Sequence, residues 1–191
     1  MAGSANLIRI IGGTHRGRRL QFASARGLRP TPDRVRETLF NWLRDDVMGA
    51  RCLDLFAGSG ALGFEAVSRG ARSVTMVEHN RVVAQRLRDN AALLRETDKV
   101  LVKQLDARRF LQAPPKGTFD IVFLDPPFAD NSLASICERL ISGGWLSRGC
   151  AVYLEQDAAR AWTVCPGALQ VVRESSAGQS AQRLLRCSTA S

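Results

Sequence analysis

The sequence predicts a single α/β domain: a mostly parallel sheet of seven strands with helices on both faces and a C-terminal antiparallel hairpin. Three observations carry this prediction. From residue 51 onward, short apolar runs alternate with helical segments, a rhythm typical of parallel sheets. A glycine-rich loop follows the first of these runs, and a proline-rich loop follows the fourth. After Trp162 the rhythm gives way to two strand-like runs joined by a short turn.

The first 44 residues are predicted to form a basic N-terminal extension, followed by the main domain at 45–191. Two short apolar runs, LIRII at 7–11 and RRLQF at 18–22, flank a glycine-containing turn. Such runs on either side of a turn indicate a small hairpin.

A helix is predicted after this hairpin. Thr31 is expected to be its N-cap, with Pro32 at the first helical position and the last turn near Leu43. The helical spacing of its apolar residues leaves Arg34 and Arg36 on other faces.

The main domain is predicted from the alternation of its elements. Strands are expected at 51–56, 73–78, 100–104, 119–124 and 150–154. Helices are expected at 60–69, 80–95, 106–112 and 131–141. The last two segments, ALQVVRES and SAQRLLRCS, predict the antiparallel hairpin that ends the sheet.

Positive charge is concentrated at the N-terminus. The chain has a net charge of +9, and residues 1–44 contribute nine arginines against two acidic residues, a net charge of +7. Of the 27 basic residues, 24 are arginine, whose planar guanidinium fits phosphates and base edges better than a lysine ammonium does. The extension therefore favours a polyanionic partner such as nucleic acid, although a merely basic surface is the alternative.

Composition excludes several other classes of protein. No apolar run approaches the roughly 20 residues that a membrane-spanning helix needs, and the N-terminus lacks the pattern of a secretory signal. We therefore expect a cytoplasmic protein. The five cysteines are widely spaced with no C-x-x-C pair, so they indicate neither a disulfide framework nor a metal site.

The glycine-rich segment DLFAGSGALG, residues 54–63, follows the first strand of the main domain and opens a helix. Gly58, Gly60 and Gly63 match the G-x-G-x-x-G pattern of nucleotide-binding loops, which alone would also permit a nicotinamide-dependent dehydrogenase. Asp54 argues against a dinucleotide, because its carboxylate would repel a pyrophosphate.

Two further acids follow neighbouring strands. Glu78 ends the second strand, where a carboxylate can bind both hydroxyls of a ribose. Asp106 follows the third strand and either accepts from an adenine amino group or caps the next helix. Together with Asp54, which could accept from a ligand ammonium, these acids suit an adenosine with a positively charged tail. S-adenosylmethionine fits that description better than NAD does.

The fourth strand runs into Asp125, Pro126, Pro127 and Phe128. An exocyclic amino group on a nucleobase is a poor nucleophile but a good donor, so catalysis needs acceptors aimed at its nitrogen. The Asp125 carboxylate and the Pro126 carbonyl can supply them, on a backbone that the two prolines make rigid. Phe128 can stack on the base. A rigid turn with a core phenylalanine is the alternative for D-P-P-F taken alone.

The motifs DLFAGSG, Glu78, Asp106 and DPPF resemble those of class I S-adenosylmethionine methyltransferases that act on exocyclic amino groups. More narrowly, IRIIGGTHRGRRL, GLRPTPDRVRETLFNWL, FAGSGALGFEAVSRGA and DPPF, in this order, resemble the RsmD family of bacterial 16S ribosomal RNA guanine-N2 methyltransferases. The resemblance runs from about Ile8 to Arg186, and R-P-T-x-D-R-V-R-E is its most discriminating block.

This resemblance implies a Rossmann-like class I methyltransferase fold and methylation of one guanine of 16S rRNA, within a partly or fully assembled 30S subunit, by a monomer. The implied cofactor is S-adenosyl-L-methionine, with S-adenosyl-L-homocysteine as product and no metal. The implied cofactor-binding residues are Asp54, Phe56, Ala57, Gly58, Ser59, Gly60, Glu78, His79, Asp106 and Ala107. The implied RNA-binding residues, expected to grip the backbone near the pocket, are Arg16, Arg18, Arg19, Arg29, Arg34 and Arg36.

Three alternatives remain open on the sequence. The same chemistry could act on DNA adenine or on another RNA, and only the N-terminal block argues against this. A dehydrogenase is disfavoured by Asp54 and by the DPPF segment. A non-catalytic RNA-binding protein is disfavoured because Asp125 and the glycine loop are both intact.

Overall fold

The computed structural model describes residues 6–23, 25, 30–127, 132–161 and 166–188. Its strands are β1 (Leu7–Arg9), β2 (Arg19–Gln21), β3 (Arg51–Asp54), β4 (Ser73–Glu78), β5 (Val100–Gln104), β6 (Phe119–Leu124), β7 (Leu146–Asp157), β8 (Leu169–Ala177) and β9 (Ser180–Cys187). Its helices are α1 (Asp33–Trp42), α2 (Ala61–Ser68), α3 (Arg81–Leu94), α4 (Ala107–Phe110) and α5 (Leu133–Ser142).

The main sheet has seven strands in the order β5-β4-β3-β6-β7-β9-β8. Strands β3 to β7 pair in parallel, whereas β9 pairs antiparallel with both β7 and β8. The predicted Rossmann-like fold with a C-terminal hairpin is therefore confirmed. Strand β7 begins at Leu146 rather than at 150, because Leu146 already pairs with Phe119. No helix among the described residues is long and apolar enough to span a membrane.

Each face of the sheet carries its own hydrophobic core. Alternate strand residues point to opposite faces, so Phe123 and Tyr153 pack with α1, α2 and α3, whereas Val122 and Leu124 pack with α5. The buried cysteines belong to these cores, as expected for small apolar side chains: Cys52, Cys137, Cys150 and Cys187. Cys165 lies outside the described residues.

The N-terminal extension shares the first of these cores. Strands β1 and β2 form a separate two-stranded hairpin, as predicted, but Ile8, Leu20 and Phe40 are buried in the same cluster as Phe123. Gly13 lies so close to α2 that a Cβ on it would stand 1.8 Å from the Ser68 carbonyl oxygen. The extension is therefore a packed layer over α2, and a boundary at residue 44 stays a prediction.

A buried ion pair fixes this layer in place. Glu65 of α2 is fully buried, and its carboxylate accepts from the backbone N–H groups of Ile11 and Gly12 at 2.9 and 2.8 Å. Its charge is balanced by Arg69, at 2.7 Å, and by Arg36 of α1, at 3.4 Å. A buried carboxylate is stable only when it is paired and hydrogen-bonded in this way.

The prediction that Arg36 binds RNA is therefore wrong. Only 1% of Arg36 is exposed, and its guanidinium donates to the Thr31 and Arg9 carbonyl oxygens as well as to Asp33 and Glu65. A charged residue in an amphipathic helix suggests a surface position, but here the hairpin and α2 cover it.

The predicted N-cap is also wrong. Pro32 occupies the capping position of α1, and no side chain caps the helix. The Thr31 hydroxyl instead donates to Asp125, the residue directly after β6. The hydroxyl thus donates to a distant carboxylate, whereas an N-cap hydroxyl would accept from a backbone N–H of the first helical turn.

Arg36→Met should lower the free energy of unfolding by about 3 kcal/mol, because it removes a cation from the fully buried Glu65 carboxylate. Arg34→Met is the matched control on the same helix. Its side chain is exposed, so the same substitution should change stability by less than about 0.5 kcal/mol. Urea denaturation followed by circular dichroism measures both. Equal stabilities for the two variants would contradict the assigned role of Arg36.

Candidate active site

Three carboxylates meet at the carboxyl edge of the parallel strands. Asp54 ends β3, Glu78 ends β4, and Asp125 directly follows β6. Strands β4, β3 and β6 are neighbours, and Asp54 pairs with Phe123, two residues before Asp125. Ligands of open α/β sheets bind at this edge, so the three acids mark a candidate site.

The glycine loop forms a tight turn between β3 and α2. Gly60 precedes α2 with a φ of 79°, a left-handed conformation that favours glycine. A Cβ at this position would lie 2.5 Å from the Phe64 ring and 2.6 Å from Leu87. The Gly60 N–H donates to the Ala57 carbonyl at 2.7 Å and closes the turn. Gly60 is thus required both by the backbone and by the packing beneath it.

Two of the acids hold this turn in shape. Asp54 accepts from the Gly63 N–H at 3.1 Å, and Glu78 accepts from the Gly58 N–H at 3.1 Å. The second oxygen of Glu78 accepts from the Asn80 N–H at 2.7 Å. Asp54 and Glu78 therefore organise the backbone of the loop, whatever ligand they also contact. The predicted cofactor role of both residues stays a prediction.

The other predicted cofactor residues differ in how far they are exposed to solvent. Phe56 is partly buried, and Ala57, Ser59 and Ala107 are buried. His79 is exposed, with Nδ1 at 3.2 Å from Glu78.

Asp106 caps a helix. Its Oδ1 accepts from the N–H groups of Arg108 and Arg109, at 2.8 and 3.1 Å, at the start of α4. Of the two roles expected for Asp106, capping is confirmed, and the contact with adenine stays a prediction.

Two of the acids, Asp54 and Asp125, have raised pKa values. Burial raises the pKa of Asp54 to about 7, and the charge of Glu78 adds to this effect against the opposing N–H bonds from Gly63 and Phe56. Burial also raises the pKa of Asp125 well above its usual range, with further contributions from the charges of Glu155 and Asp54. Clustered carboxylates of this kind favour a cationic ligand, which relieves their mutual repulsion.

Asp125 has a partner that the sequence analysis missed. The Thr31 hydroxyl donates to its Oδ2 at 3.1 Å, and this bond opposes the rise in the Asp125 pKa. Thr31 belongs to the R-P-T-x-D-R-V-R-E block, so the signal was present but had been assigned to capping. Pro126 is buried, Pro127 is exposed, and Phe128 lies outside the described residues, so its stacking role stays a prediction.

A fourth carboxylate, also missed, lies behind Asp125. Glu155 of β7 is buried and accepts from the Tyr153 hydroxyl at 2.7 Å and from the Ser180 hydroxyl at 2.5 Å. Gln182 donates in turn to the Ser180 oxygen at 2.6 Å. Glutamate in a strand has no sequence signature of its own, so only the pairing of β6, β7 and β9 reveals this network.

The basic turn of the hairpin lies away from the site. Its residues Thr14 and His15 contact Ser68, the last residue of α2, and the His15 ring contacts Glu96 just after α3. Both helices begin at the carboxyl edge of the sheet and end at the amino edge. The exposed arginines of this turn, Arg16 and Arg18, therefore lie towards the amino edge, whereas Arg19 of β2 pairs with Arg9, whose carbonyl oxygen accepts from Arg36 of α1.

The expectation that Arg16, Arg18 and Arg19 contact RNA stays a prediction. The turn of the hairpin packs against the C-terminal end of α2. This end lies about 12 Å along the helix from the glycine loop, at the opposite edge of the sheet from Asp125. Arg34 is exposed on the first turn of α1, and among the described residues it is the exposed predicted RNA contact closest in sequence to Thr31. Arg29 lies outside the described residues.

Comparison with known proteins shows which chains share these features. The family model described as Conserved hypothetical protein 95 matches residues 8–186. The ribosomal RNA small subunit methyltransferase D of Escherichia coli strain K12 is 46% identical over 178 residues, which cover 93% of this chain and 88% of the relative. The protein of the same name from Haemophilus influenzae is 40% identical over 179 residues, covering 93% and 92%.

A solved structure agrees with these matches. The protein yhhF of Escherichia coli superimposes with a TM-score of 0.88 at 42% identity, covering 95% of this chain and 98% of the other. The similarity therefore extends over the N-terminal layer as well as the sheet.

The buried Asp54 should make stability depend on pH. Because its pKa is raised to about 7 in the folded protein, its contribution is full in acid and is lost as the pH rises from about 4 through 7. Asp54→Asn should abolish up to about 3 kcal/mol of the fall in unfolding free energy between pH 5 and pH 8, as urea denaturation at the two pH values would measure.

Asp98→Asn provides the comparison for this measurement. Asp98 is exposed, so its replacement should leave the difference in stability between the two pH values as in the natural protein. If Asp54→Asn and Asp98→Asn behave alike, the buried carboxylate of Asp54 is not the source of the pH dependence.

Proposed function

We propose the function of this chain from one premise: it belongs to the RsmD family, whose family model is described as Conserved hypothetical protein 95 and whose relatives are named ribosomal RNA small subunit methyltransferase D. The chain is a methyltransferase with a Rossmann-like fold. The proposed reaction is transfer of a methyl group to the exocyclic N2 amino group of a guanine in 16S rRNA. The observation that carries the proposal is the position of Asp125, at the carboxyl edge of the sheet beside the glycine loop.

The acidic cleft supports S-adenosylmethionine as the cofactor. When bound, S-adenosylmethionine supplies an electrophilic methyl group on a sulfonium and also carries a positive ammonium. Asp54, Glu78 and the turn from Ala57 to Gly60 would hold it, because a cation would offset the burial and the charge of Glu78, which together raise the pKa of Asp54. A dinucleotide would bring a negatively charged pyrophosphate into the same acidic cleft, so the charges of the cleft disfavour it.

Asp125 has the properties of an acceptor for the substrate amino group. Its carboxylate is partly buried, held by Thr31, and made more basic by neighbouring acids. A hydrogen bond from the guanine N–H to Asp125 would stabilise the positive charge that grows on nitrogen as the N–C bond forms. Asp125 would then accept the proton that the nitrogen must lose. The rigid backbone of Pro126 and Pro127 limits the entropy lost on binding.

The basic surfaces support an RNA substrate, which would cover the hairpin side of the molecule. Exposed arginines extend from Arg34, next to the catalytic edge, to Arg16 and Arg18 at the hairpin turn. Contacts with phosphates at both ends would hold a folded RNA and not an isolated nucleotide. We propose that the substrate is a ribosomal particle, partly or fully assembled. We also propose that the protein is cytoplasmic and monomeric.

Methyl transfer from labelled S-adenosylmethionine tests the function. The substrates are 30S particles lacking the modification, free 16S rRNA, tRNA and DNA, followed by nucleoside analysis. We expect N2-methylguanosine from 30S particles or rRNA. Label in adenine or cytosine, or only in DNA, would overturn the substrate assignment.

Asp125→Asn should lower kcat about 100-fold or more and leave the affinity for S-adenosylmethionine nearly unchanged, because it removes the acceptor but not the cofactor loop. Asp120→Asn is the matched control on the same strand. Asp120 accepts from the Arg51 N–H and from Ser147 at the other end of β6, away from the site. Turnover by Asp125→Asn at the rate of Asp120→Asn would rule out this role for Asp125.

Replacing Arg16, Arg18 and Arg19 together should weaken RNA binding and flatten its salt dependence, because each phosphate contact releases counterions. Since the hairpin turn packs against the C-terminal end of α2 and not against Asp125, KM should rise while kcat at saturating RNA stays the same. Filter binding at several salt concentrations and steady-state kinetics measure both quantities. An unchanged salt slope would mean that the hairpin turn does not contact RNA.

A further inference from the structure

Asp125 has two neighbours with opposite effects on the ionisation of its carboxyl group. On one side is the Thr31 hydroxyl, which donates to Oδ2 at 3.1 Å. On the other side is Glu155. Leu124 pairs with Leu154 in the parallel ladder, so the next residues of the two strands, Asp125 and Glu155, are neighbours whose side chains point to the same face.

Glu155 is held where it is by partners of its own. Tyr153 and Ser180 donate to different oxygens of its carboxylate, and Gln182 fixes the Ser180 hydroxyl. Hydroxyl donors on both oxygens suit the ionised form and oppose the rise in the Glu155 pKa that burial causes. The Glu155 carboxylate is therefore held rigidly as a second acid next to Asp125.

Thr31 is held just as firmly. The Arg36 guanidinium donates to its carbonyl oxygen at 3.2 Å and is itself paired with the buried Glu65. The hydroxyl of Thr31 therefore meets Asp125 only while the N-terminal layer is docked on α2. Nothing in the proposed reaction uses Thr31 or Glu155 directly.

We propose that Thr31 and Glu155 are positioning residues for Asp125: Thr31 fixes the orientation of its carboxylate, and the negative charge of Glu155 keeps that carboxylate strongly proton-accepting. This inference rests on the proposed function, because the ionisation of Asp125 matters for turnover only if Asp125 accepts from the substrate. It adds two residues, one from the N-terminal layer and one from β7, to a site otherwise built from β3, β4 and β6.

The groups around Asp125 determine whether each substitution raises or lowers its pKa. The groups that shift the pKa of Asp125 are Thr31 from the segment before α1, Asp54 from β3 and Glu155 from β7. The charge of Asp125 in turn helps to raise the pKa of Tyr153 of β7, after burial and the charge of Glu155. Glu155 and Asp54 disfavour ionisation of Asp125, whereas the Thr31 hydrogen bond favours it. Removing Glu155 and removing the Thr31 hydroxyl must therefore move the titration of Asp125 in opposite directions.

The test is the titration of the Asp125 carboxyl carbon by NMR in protein labelled at aspartate, with Asp125→Asn used to assign the signal. Glu155→Gln should lower the pKa of Asp125, and Thr31→Val should raise it, each by about one pH unit. Thr31→Ser keeps the donor and should titrate like the natural protein. If Thr31→Val and Glu155→Gln shift the titration in the same direction, or neither shifts it, the inference fails.

The pH dependence of kcat/KM provides the second readout. Its acid limb should move to lower pH in Glu155→Gln and to higher pH in Thr31→Val, which a loss of packing would not produce. If Glu155→Gln does not fold, the Thr31→Val and Thr31→Ser pair still decides the sign. The NMR titration needs no substrate, so absence of methyl transfer by the natural protein would overturn the proposed function without deciding this inference.

Discussion

The structure depends on the burial of one carboxylate. Glu65 lies inside α2 with no exposure, and an unpaired charge at such a position would cost several kcal/mol. Its partners come from three places: Arg69 one turn later on α2, Arg36 of α1, and the backbone N–H groups of Ile11 and Gly12 in the hairpin. If the N-terminal layer left α2, Glu65 would lose Arg36 and both backbone N–H donors and keep only Arg69. A segment that looks like a basic arm in the sequence is therefore held in one fixed position.

That fixed position connects the N-terminal block to the candidate active site. Arg36 binds the Thr31 carbonyl, and the Thr31 hydroxyl binds Asp125, so a chain of contacts runs from the interior of α2 to the end of β6. The most discriminating part of the sequence, R-P-T-x-D-R-V-R-E, supplies Thr31, Asp33 and Arg36 to this chain. Its arginines suggested RNA binding, but one of them, Arg36, is buried and links Glu65 to Thr31.

The fold and the site differ in how far the sequence predicts them. Strand and helix alternation is a local pattern, so the main elements and the final hairpin could be predicted, with errors mainly at their ends. The glycine turn and the acids after β3, β4 and β6 could be predicted for the same reason. The burial of Arg36, the direction of the Thr31 hydroxyl and the place of Glu155 could not. Each depends on a contact between segments far apart in the chain, and a charged or polar residue alone favours the surface.

The distribution of charge also explains how one small domain can bind two ligands of opposite sign. Arg16, Arg18, Arg19 and Arg34 are exposed on the N-terminal layer, and Arg81, Arg108 and Arg109 are exposed at the starts of α3 and α4, whereas the acids Asp54, Glu78, Asp125 and Glu155 cluster at the carboxyl edge of the sheet. On the proposed function, the cleft attracts a cationic methyl donor and repels phosphates. The part of the RNA that enters among these acids is then a base, which is neutral. The same acids that favour the cofactor thus select a nucleobase turned out from its strand, and Asp125 is the acceptor that such a base meets.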